Sequence, residues 1–461
     1  MNPEIWQQSA TALAEAIRKR KLSSREVVQA HLDRIEAVNG TLNAITVVLA
    51  DSALAAADAA DQSEPRGPLH GVPFTIKENI DCVGSATTQG VLGLAENMPS
   101  MDAPVVERMK AAGAIPLART NLPEMGLRIT TDNPLRGRTL NPWDPERTAG
   151  GSSGGEGSAL ATGMSPIGLG NDIGGSLRNP AFACGITALK PSAGRIPHAA
   201  CTSPEDGGIA EQVMAVEGPM ARHVDDLRLA FEILSGRHPR DPNSTDVPLD
   251  GEPRPRKAAI LTEVPGYRLP DSVREAVLQA AGALEKSGWE IRQAQPPDLE
   301  RVHEIWAFLI SMDFQPLLPD LSALMSPRPI EMLKLLFEGF APSSVRLPDV
   351  HAERNRLSRA WSEFFAEFPI LVGPTWTDIQ FLHDADLDGE KGMQLVLDRL
   401  RFISPANVLG LPSVAVPTGV CDGLPTGVQV YAERWRDDLA LEGAKAIEEV
   451  VGQIAPIDPA F

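Results

Sequence analysis

The sequence is poor in long apolar runs and in basic clusters, and each of these absences excludes a class of protein. None of its apolar runs is long enough to cross a bilayer, which argues against a membrane-spanning chain. The N-terminal segment has no apolar stretch behind a basic one, so no secretory signal is predicted. We therefore expect a soluble, cytoplasmic protein with no membrane partner.

Basic residues are clearly outnumbered by acidic ones. The chain of 461 residues has 42 Lys and Arg against 61 Asp and Glu, which gives a formal net charge of -19. No local cluster of Lys and Arg compensates for this charge, and such a chain repels polyanions. The charge therefore argues against a nucleic-acid partner.

Cysteine is also scarce, and its spacing excludes two kinds of site. The cysteines are far apart and form no CxxC pair; the 4 of them are Cys82, Cys184, Cys201 and Cys421. This spacing provides neither a disulfide framework nor a zinc site, and it is typical of a reducing compartment.

Glycine and serine are concentrated between Gly150 and Arg178, in the stretch GGSSGGEGSALATGMSPIGLGNDIGGSLR. Glycine lacks a Cβ and tolerates positive φ, so loops of this kind bring backbone N–H groups close to a ligand. A serine between glycines is then a hydroxyl beside free donors. This layout predicts a nucleophile next to an oxyanion hole.

Other interpretations of the stretch fit less well. A phosphate-binding loop requires GK[ST] after its glycines, and neither cluster has it. The pattern GxSxG, with Ser153 at its centre, matches a nucleophile elbow, but that mechanism needs a histidine base. His198 and His223 are available, yet neither lies in a recognisable context. In a purely structural interpretation, the glycines would only form tight turns and the serines would only cap helices. This interpretation accounts poorly for two such clusters together with a lysine at a strand end.

That lysine is Lys77, which follows the apolar strand predicted over residues 72–76. An isolated lysine at a strand end is ordinarily a solvated charge. Buried among neutral groups, however, its pKa falls and it can act as a base. Lys77 is therefore a second candidate for the site.

The pattern of elements predicts an α/β fold. A helix over 102–112 followed by a strand over 114–118 has a βαβ rhythm, and residues 407–419 and 423–432 are predicted as further strands. The proline-rich segment 238–256 is predicted as a surface linker that does not separate domains. Residues 301–365 are predicted to be helical. Their large apolar residues belong mostly to the core, but such a segment can also wall an acyl pocket.

Several segments together resemble the amidase signature family. They are TIKENID around Lys77, NPWDPERTAGGSSGGEGSALA, GNDIGGSLRNPAFACGITALKPSAGR, GPMARHVDDL, and NVLGLPSVAVPTG with GLPTGVQV. The resemblance covers most of the chain and implies one α/β domain over residues 1–461, with a mixed central β-sheet flanked by α-helices. The region from about 300 to 365 has no counterpart in these motifs, and we expect a helical insertion or cap that lines the substrate pocket.

The resemblance also implies a Ser-cisSer-Lys triad. Ser176 falls on the nucleophile, Ser152 on the serine that follows a cis peptide bond, and Lys77 on the base. The backbone N–H groups of Ile173, Gly174, Gly175 and Ser176 would hold the oxyanion. No metal or cofactor is needed for this chemistry.

Further residues match positions around the triad. Ser153, Asp172 and Arg178 are expected to orient it, although Arg178 also suits a structural role. The expected substrate contacts are Met125, Thr130, Thr131, Trp306 and Phe340, with Trp376 and Phe402 as further walls of an acyl pocket. For the two threonines the alternative is ordinary loop hydrogen bonding. Glu156 replaces a small residue, as in the fatty-acid-amide-hydrolase-like part of the family.

The predicted function is hydrolysis of the amide bond of a small, hydrophobic or aryl acyl substrate through an acyl-enzyme. Carbamate (urethane) or aryl-ester cleavage on the same site is an alternative, and so is a subunit of a ring-opening pathway for urea derivatives. A glutaminase subunit of a tRNA-dependent amidotransferase would carry a tyrosine-bearing glutamine segment, whereas the only tyrosines here are Tyr267 and Tyr431. A catalytically silent binding protein is the remaining alternative. The substrate is the one partner predicted; a homodimer is compatible with the sequence, but no residue specifies it.

Overall fold

An 11-stranded mixed sheet forms the centre of the fold. The computed structural model describes residues 4–202, 206–340, 345–459 and 461. Within these ranges the strands are β1 (Ile45–Val48), β2 (Pro73–Lys77), β3 (Ile115–Thr120), β4 (Ile167–Asp172), β5 (Thr187–Lys190), β6 (Val216–Ala221), β7 (Lys257–Ile260), β8 (Glu290–Gln293), β9 (Ile370–Pro374), β10 (Ser413–Cys421) and β11 (Leu424–Ala432). Their spatial order is β1-β3-β2-β4-β6-β5-β10-β11-β9-β7-β8.

Helices pack around this sheet. In the same ranges they are α1 (Ala10–Arg18), α2 (Ser24–Leu42), α3 (Ala50–Asp61), α4 (Pro104–Ala111), α5 (Gly154–Ala161), α6 (Arg178–Cys184), α7 (Ile209–Met214), α8 (Val224–Leu234), α9 (Asp271–Lys286), α10 (Leu299–Phe314), α11 (Leu318–Leu324), α12 (Pro327–Phe340), α13 (Leu347–Glu367), α14 (Gly389–Arg399), α15 (Ser404–Val408) and α16 (Asp437–Val451). The α/β fold with a mixed sheet is confirmed. None of the described helices has the length and apolarity that a bilayer crossing requires.

The topology of the sheet brings the motifs together. Strand β2 is parallel to both β3 and β4, whereas β4 is antiparallel to β6. The carboxyl ends of parallel strands meet at one edge of a sheet. Lys77 at the end of β2 therefore lies at the same edge as Asp172, the end of β4.

Two central strands were not predicted, and their glycines explain why. An added Cβ at Gly168 in β4 would lie 2.1 Å from Glu156 Oε2. At Gly218 in β6 it would lie 2.3 Å from the carbonyl oxygen of Leu189. Glycine is here a packing requirement, and it removes the β-branched signal on which strand prediction depends.

Two element boundaries also differ from the prediction. The sequence predicts a helix over residues 158–163, but this helix begins at Gly154, immediately after the first Gly-Ser cluster. Residues 404–408 form α15, although the strand that becomes β10 was predicted to begin at Asn407. The predicted helical region is confirmed as helices α10 to α13, while residues 341–344 lie outside the described part. The side chains of these helices form a large apolar cluster with those of α14 and α15.

Candidate active site

Lys77 and Ser152 are in direct contact at the carboxyl edge of β2. The Lys77 side chain is fully buried, and its Nζ lies 2.6 Å from Ser152 Oγ. The peptide bond between Gly151 and Ser152 is cis, as the resemblance implies. Burial lowers the pKa of Lys77 to about 7, against the opposing effect of nearby carboxylates, first of all Glu217. A substantial fraction of Lys77 is therefore neutral near pH 7 and can accept a proton from the serine.

Asn171 is a site residue that the sequence analysis missed. Its Oδ1 accepts a hydrogen bond from Lys77 Nζ at 2.7 Å, and its Nδ2 donates to Asn79 Oδ1 at 3.1 Å. The available signal was position: Asn79 is two residues after Lys77, and Asn171 directly precedes Asp172. With Asn171 taking one amine N–H, the lone pair of neutral Lys77 is left for the Ser152 hydroxyl.

Ser176 is joined to the first Gly-Ser cluster through the backbone. The Ser153 N–H donates to the Ser176 carbonyl at 3.2 Å. The Ser153 hydroxyl is buried and has no hydrogen-bond partner among the described residues, and it lies where an added Cβ at Gly170 would be only 2.8 Å away. Within the described part of the chain, no hydrogen bond links the Ser176 hydroxyl directly to Ser152 or Lys77. The side chain of Lys77 thus contacts that of Ser152 directly. Ser176 is linked to the loop that contains Ser152 by a backbone hydrogen bond to Ser153.

Trp306 orients the first peptide of the predicted oxyanion loop. Its indole N–H donates to the carbonyl of Ile173 at 3.0 Å. The same ring covers Gly174, where an added Cβ would be 2.7 Å from Trp306 Cζ2. Because a trans peptide directs its N–H opposite its carbonyl, this contact directs the Gly174 N–H away from the indole. Trp306 therefore contacts the backbone of the predicted catalytic loop, and its predicted contact with substrate stays a prediction.

Asn179 restrains the rest of the loop. Its side-chain Nδ2 donates to the Gly174 carbonyl at 3.2 Å, and its backbone N–H donates to the Gly175 carbonyl at 2.6 Å. The Gly175 N–H donates to Asp172 Oδ1 at 2.7 Å. That N–H is already used, which contradicts its predicted role as an oxyanion donor. Among the described residues no protein acceptor takes the N–H groups of Ile173, Gly174 or Ser176.

Asp172 and Arg178 form a buried ion pair behind this loop. Arg178 Nε lies 3.0 Å from Asp172 Oδ2, and both side chains are fully buried. Burial acts to raise the pKa of Asp172, but the charge of Arg178 and a hydrogen bond from Asn407 outweigh it and lower the pKa to about 2. Arg178 also donates to Gln429 Oε1 at 3.0 Å. The pair thereby joins the predicted oxyanion loop to α15 and β11.

Glu156 lies beneath the site between three strands. Its carboxyl group accepts hydrogen bonds from Thr75 in β2 at 2.7 Å and from Thr120 in β3 at 3.0 Å. Burial raises the pKa of Glu156 to about 7, despite these hydrogen bonds and the charge of Lys77. A protonated carboxyl group is compatible with this interior position. Glu156 therefore joins the helix that follows the first Gly-Ser cluster to the strand that carries Lys77.

The two threonines predicted to contact substrate use their hydroxyls within the protein. Thr131 Oγ1 donates to the Gly150 carbonyl at 2.9 Å and accepts from the Gly154 N–H at 3.1 Å. Thr130 Oγ1 bonds to Thr148 Oγ1 at 3.1 Å. Both residues are buried. The two hydroxyls thus make the loop hydrogen bonds that were the alternative interpretation, and contact of these residues with substrate stays a prediction.

Met125 directly precedes a glycine that lies against Ser152. It adopts a left-handed φ of 52°, and at the next residue, Gly126, an added Cβ would be 3.4 Å from Ser152 Oγ. The Met125 side chain is partly buried against the apolar cluster of the helical region. Phe340 packs against the same cluster at the end of α12. Contact of these two residues with substrate stays a prediction.

Trp376 and Phe402 are core residues and do not wall a pocket. Both are fully buried. The Trp376 indole N–H donates to Asn179 Oδ1 at 2.8 Å, and its ring stacks on Phe381 with centroids 5.5 Å apart. Phe402 packs edge-on against Tyr431 at 5.0 Å. Trp376 is thus linked to the predicted oxyanion loop through Asn179.

Groups of three or more His, Cys, Asp or Glu side chains that could hold a metal ion are absent from the described residues. The polar groups at this edge of the sheet are instead a lysine, serines, asparagines and backbone N–H donors. They can transfer protons and stabilise a developing negative charge without a bound ion.

The fold and the two Gly-Ser clusters are those of amidase signature enzymes. The Amidase family model matches residues 26–441. The chain belongs to this family and is an amidase, a hydrolase that acts on amide C–N bonds.

Three relatives show how the similarity extends. An indoleacetamide hydrolase of Bradyrhizobium diazoefficiens is 41% identical over 98% of this chain and 88% of its own length. An acylamidase of Rhodococcus erythropolis is 32% identical over 96% of this chain and 95% of its own. The solved structure of a 6-aminohexanoate cyclic dimer hydrolase complexed with substrate superposes with a TM-score of 0.86 and 28% identity, over 99% of both chains.

Proposed function

We propose that this amidase cleaves the amide of a small hydrophobic or aryl acid through a Ser176 acyl-enzyme. The observation that carries the proposal is the 2.6 Å contact between the buried Lys77 Nζ and Ser152 Oγ. This contact aligns a lysine of depressed pKa with a hydroxyl that can both donate and accept a proton. Ser176 is the serine of the second cluster, next to free backbone donors.

The first step forms the acyl-enzyme. Ser176 Oγ attacks the substrate carbonyl carbon while its proton passes to Ser152, whose own proton passes to neutral Lys77. The carbonyl electron pair moves onto oxygen, where the N–H groups of Ile173, Gly174 and Ser176 stabilise it. Collapse of this intermediate breaks the C–N bond, and the proton returns from Lys77 to the leaving amine.

The second step releases the acid. Water attacks the acyl-enzyme carbonyl, and the same relay takes up its proton through Ser152 and Lys77. The ester bond to Ser176 breaks, and the serine oxygen recovers its proton. Because every proton taken up is returned, the cycle consumes only water and the amide.

The hydrophobic or aryl acyl preference is supported by chemistry near the loop and by the relatives. Trp306 presents an indole ring against Gly174, and the partly buried Met125 packs against the apolar cluster to which Trp306 belongs. The relatives include an indoleacetamide hydrolase and an aryl acylamidase structure with a TM-score of 0.82 and 26% identity. We therefore choose indole-3-acetamide as the first substrate to test.

The experiment measures ammonia release by the purified chain. We expect release from indole-3-acetamide and none from glutamine, with Ser176→Ala as the inactive control. Glutamine cleavage would instead favour the amidotransferase subunit, since such subunits from several bacteria are also similar, for example at 31% identity over 97% of this chain. Parallel assays with an aryl carbamate and an aryl ester test cleavage of other carbonyl substrates on the same site.

A fluorophosphonate probe tests the nucleophile itself. Ser176 Oγ should displace fluoride from phosphorus and retain the phosphonyl group, which peptide mass spectrometry locates. No adduct on Ser176 in folded protein would contradict the proposal and favour the catalytically silent binding protein.

A further inference from the structure

Glu217 is a buried carboxylate next to the residue that holds Lys77. In the antiparallel pair of β4 and β6, Glu217 lies directly opposite Asn171. Side chains of directly opposed residues share one face of the sheet and lie close together. Asn171 in turn accepts the hydrogen bond from Lys77. Lys77 is on β2 and Glu217 is on β6, and strand β4 lies between these two strands. Asn171 on β4 therefore occupies the position between Lys77 and Glu217.

His198 holds the Glu217 carboxylate in place. Its Nδ1 lies 3.0 Å from Glu217 Oε1, and its Nε2 lies 3.7 Å from Glu211 Oε1. Burial acts to lower the pKa of His198, but the contacts with Glu211 and Glu217 outweigh it and raise the pKa. The His198 backbone N–H is bound to Asp241. One imidazolium between two carboxylates leaves this cluster with a net negative charge.

The other carboxyl groups that face Lys77 are compensated locally. On β4, Asp172 is paired with Arg178. On α5, Glu156 is held by two threonine hydroxyls, and burial raises its pKa to about 7. On β6, Glu217 Oε2 is buried without a hydrogen-bond partner among the described residues. Because Glu217 also shares the single charge of His198 with Glu211, its own charge is only partly neutralised near the lysine.

We propose that Glu217 is a positioning residue that sets the pH range in which Lys77 acts as a base. The inference rests on the proposed function, because it requires Lys77 to be the base that activates Ser176. A negative charge on the neighbouring strand stabilises protonated Lys77, and so it moves the loss of activity on acidification to higher pH. Glu217 acts through its charge and through Asn171, and it does not touch the reacting atoms.

The test follows the rate of fluorophosphonate labelling of Ser176 as a function of pH. This reaction needs the base but no amide substrate, since Ser176 Oγ displaces fluoride and its proton leaves through Ser152 to Lys77. In Glu217→Gln we expect the acid limb of the rate profile to move down by about one pH unit. The alkaline plateau should stay within about twofold of the wild-type rate.

Glu211→Gln is the matched control. It removes the same charge from the same histidine, but Glu211 is on α7 with a 31% exposed side chain, so solvent screens it. Its acid limb should stay within about 0.2 pH unit of wild type, well below the shift expected from an interior charge. Glu217→Asp keeps the charge and should restore most of the wild-type profile.

Three outcomes would overturn the inference. They are an unmoved acid limb in Glu217→Gln, an upward shift, and a uniform loss of rate at every pH, which indicates a merely structural role. Glu217→Met carries the same expectation with a side chain that needs no hydrogen-bond partner, and it serves if Glu217→Gln does not fold. Absence of labelling in the wild-type chain would overturn the proposed function, and this inference with it.

Discussion

Trp306→Phe tests whether the indole orients the oxyanion loop. The substitution removes the N–H that donates to the Ile173 carbonyl at 3.0 Å. It also removes the ring edge that lies against Gly174. The peptide between Ile173 and Gly174 then loses both contacts that hold it, and the direction of the Gly174 N–H is no longer fixed.

The expected magnitude follows from the size of these contacts. A hydrogen bond to a backbone carbonyl contributes about 1 kcal/mol net, and complete loss of one oxyanion donor lowers kcat by about 100-fold to 1,000-fold. Disorder of a donor that is still present should cost less. We expect kcat and kcat/KM for indole-3-acetamide to fall together by about 10-fold, equivalent to about 1.4 kcal/mol of transition-state stabilisation.

Trp361→Phe is the matched control for this experiment. Trp361 is fully buried in the same apolar cluster, and its indole N–H donates to the Pro297 carbonyl at 2.7 Å, away from the loop. Both variants should lose about 2 kcal/mol of unfolding free energy, measured by urea denaturation. Only Trp306→Phe should lose kcat. Equal kcat values in the two variants, or a change confined to KM, would refute the orienting role.

Further predictions concern the base and its surroundings. Lys77→Ala should lower kcat/KM by at least about 1,000-fold at neutral pH, and a variant with the wild-type rate would exclude the relay. Because burial lowers the pKa of Lys77 to about 7 and only neutral lysine accepts a proton, wild-type kcat/KM should fall about 10-fold per pH unit below that value; a flat profile down to pH 5 would contradict this. Arg178→Met leaves Asp172 buried without its partner, so the unfolding free energy should drop by about 3–5 kcal/mol in urea denaturation, whereas a drop below about 1 kcal/mol would show that the pair is dispensable. Gly168→Ala places a Cβ 2.1 Å from Glu156 Oε2, so the unfolding free energy should fall by about 1–3 kcal/mol in urea denaturation. An unchanged midpoint of the urea transition would show that the carboxyl group of Glu156 can move away from the new methyl group.

Sequence reasoning succeeded where a residue's local pattern matches its structural role. The apolar strand that ends at Lys77 and the helix predicted over residues 102–112 are found near their predicted bounds. It failed at β4 and β6, which have glycines at positions 168, 170 and 218. Glycine has a low strand propensity, but at these positions it leaves room for the close approach of Glu156, Ser153 and the Leu189 carbonyl. Those close contacts join distant segments, and a local window contains no information about them.

The same distinction applies within the candidate site. Lys77 and the glycine-serine stretch were singled out from the residues themselves, because a lysine at the end of an apolar strand and serines between glycines are unusual. The assignment of Lys77, Ser152 and Ser176 to a triad came from the resemblance to the amidase signature family. Asn171 was missed, since an asparagine beside an aspartate is an ordinary sign of a turn. Thr131 was assigned to the substrate from the resemblance to the family, yet its hydroxyl forms hydrogen bonds within the loop itself. Its role depends on the fold of the loop, which local composition does not reveal.

Substrate choice is harder to predict than the reaction for a physical reason. Aromatic side chains that line a pocket and those that fill a core have the same composition, so sequence cannot separate them. Trp376 and Phe402 are fully buried core residues, whereas Trp306 contacts the oxyanion loop. The reaction depends on buried polar groups. Each of these groups needs a hydrogen-bond or ion-pair partner, and such partners can be identified in the structure by their short contact distances. Residues such as Glu217, whose burial is only partly compensated, are therefore the best places to look for tuning specific to this chain.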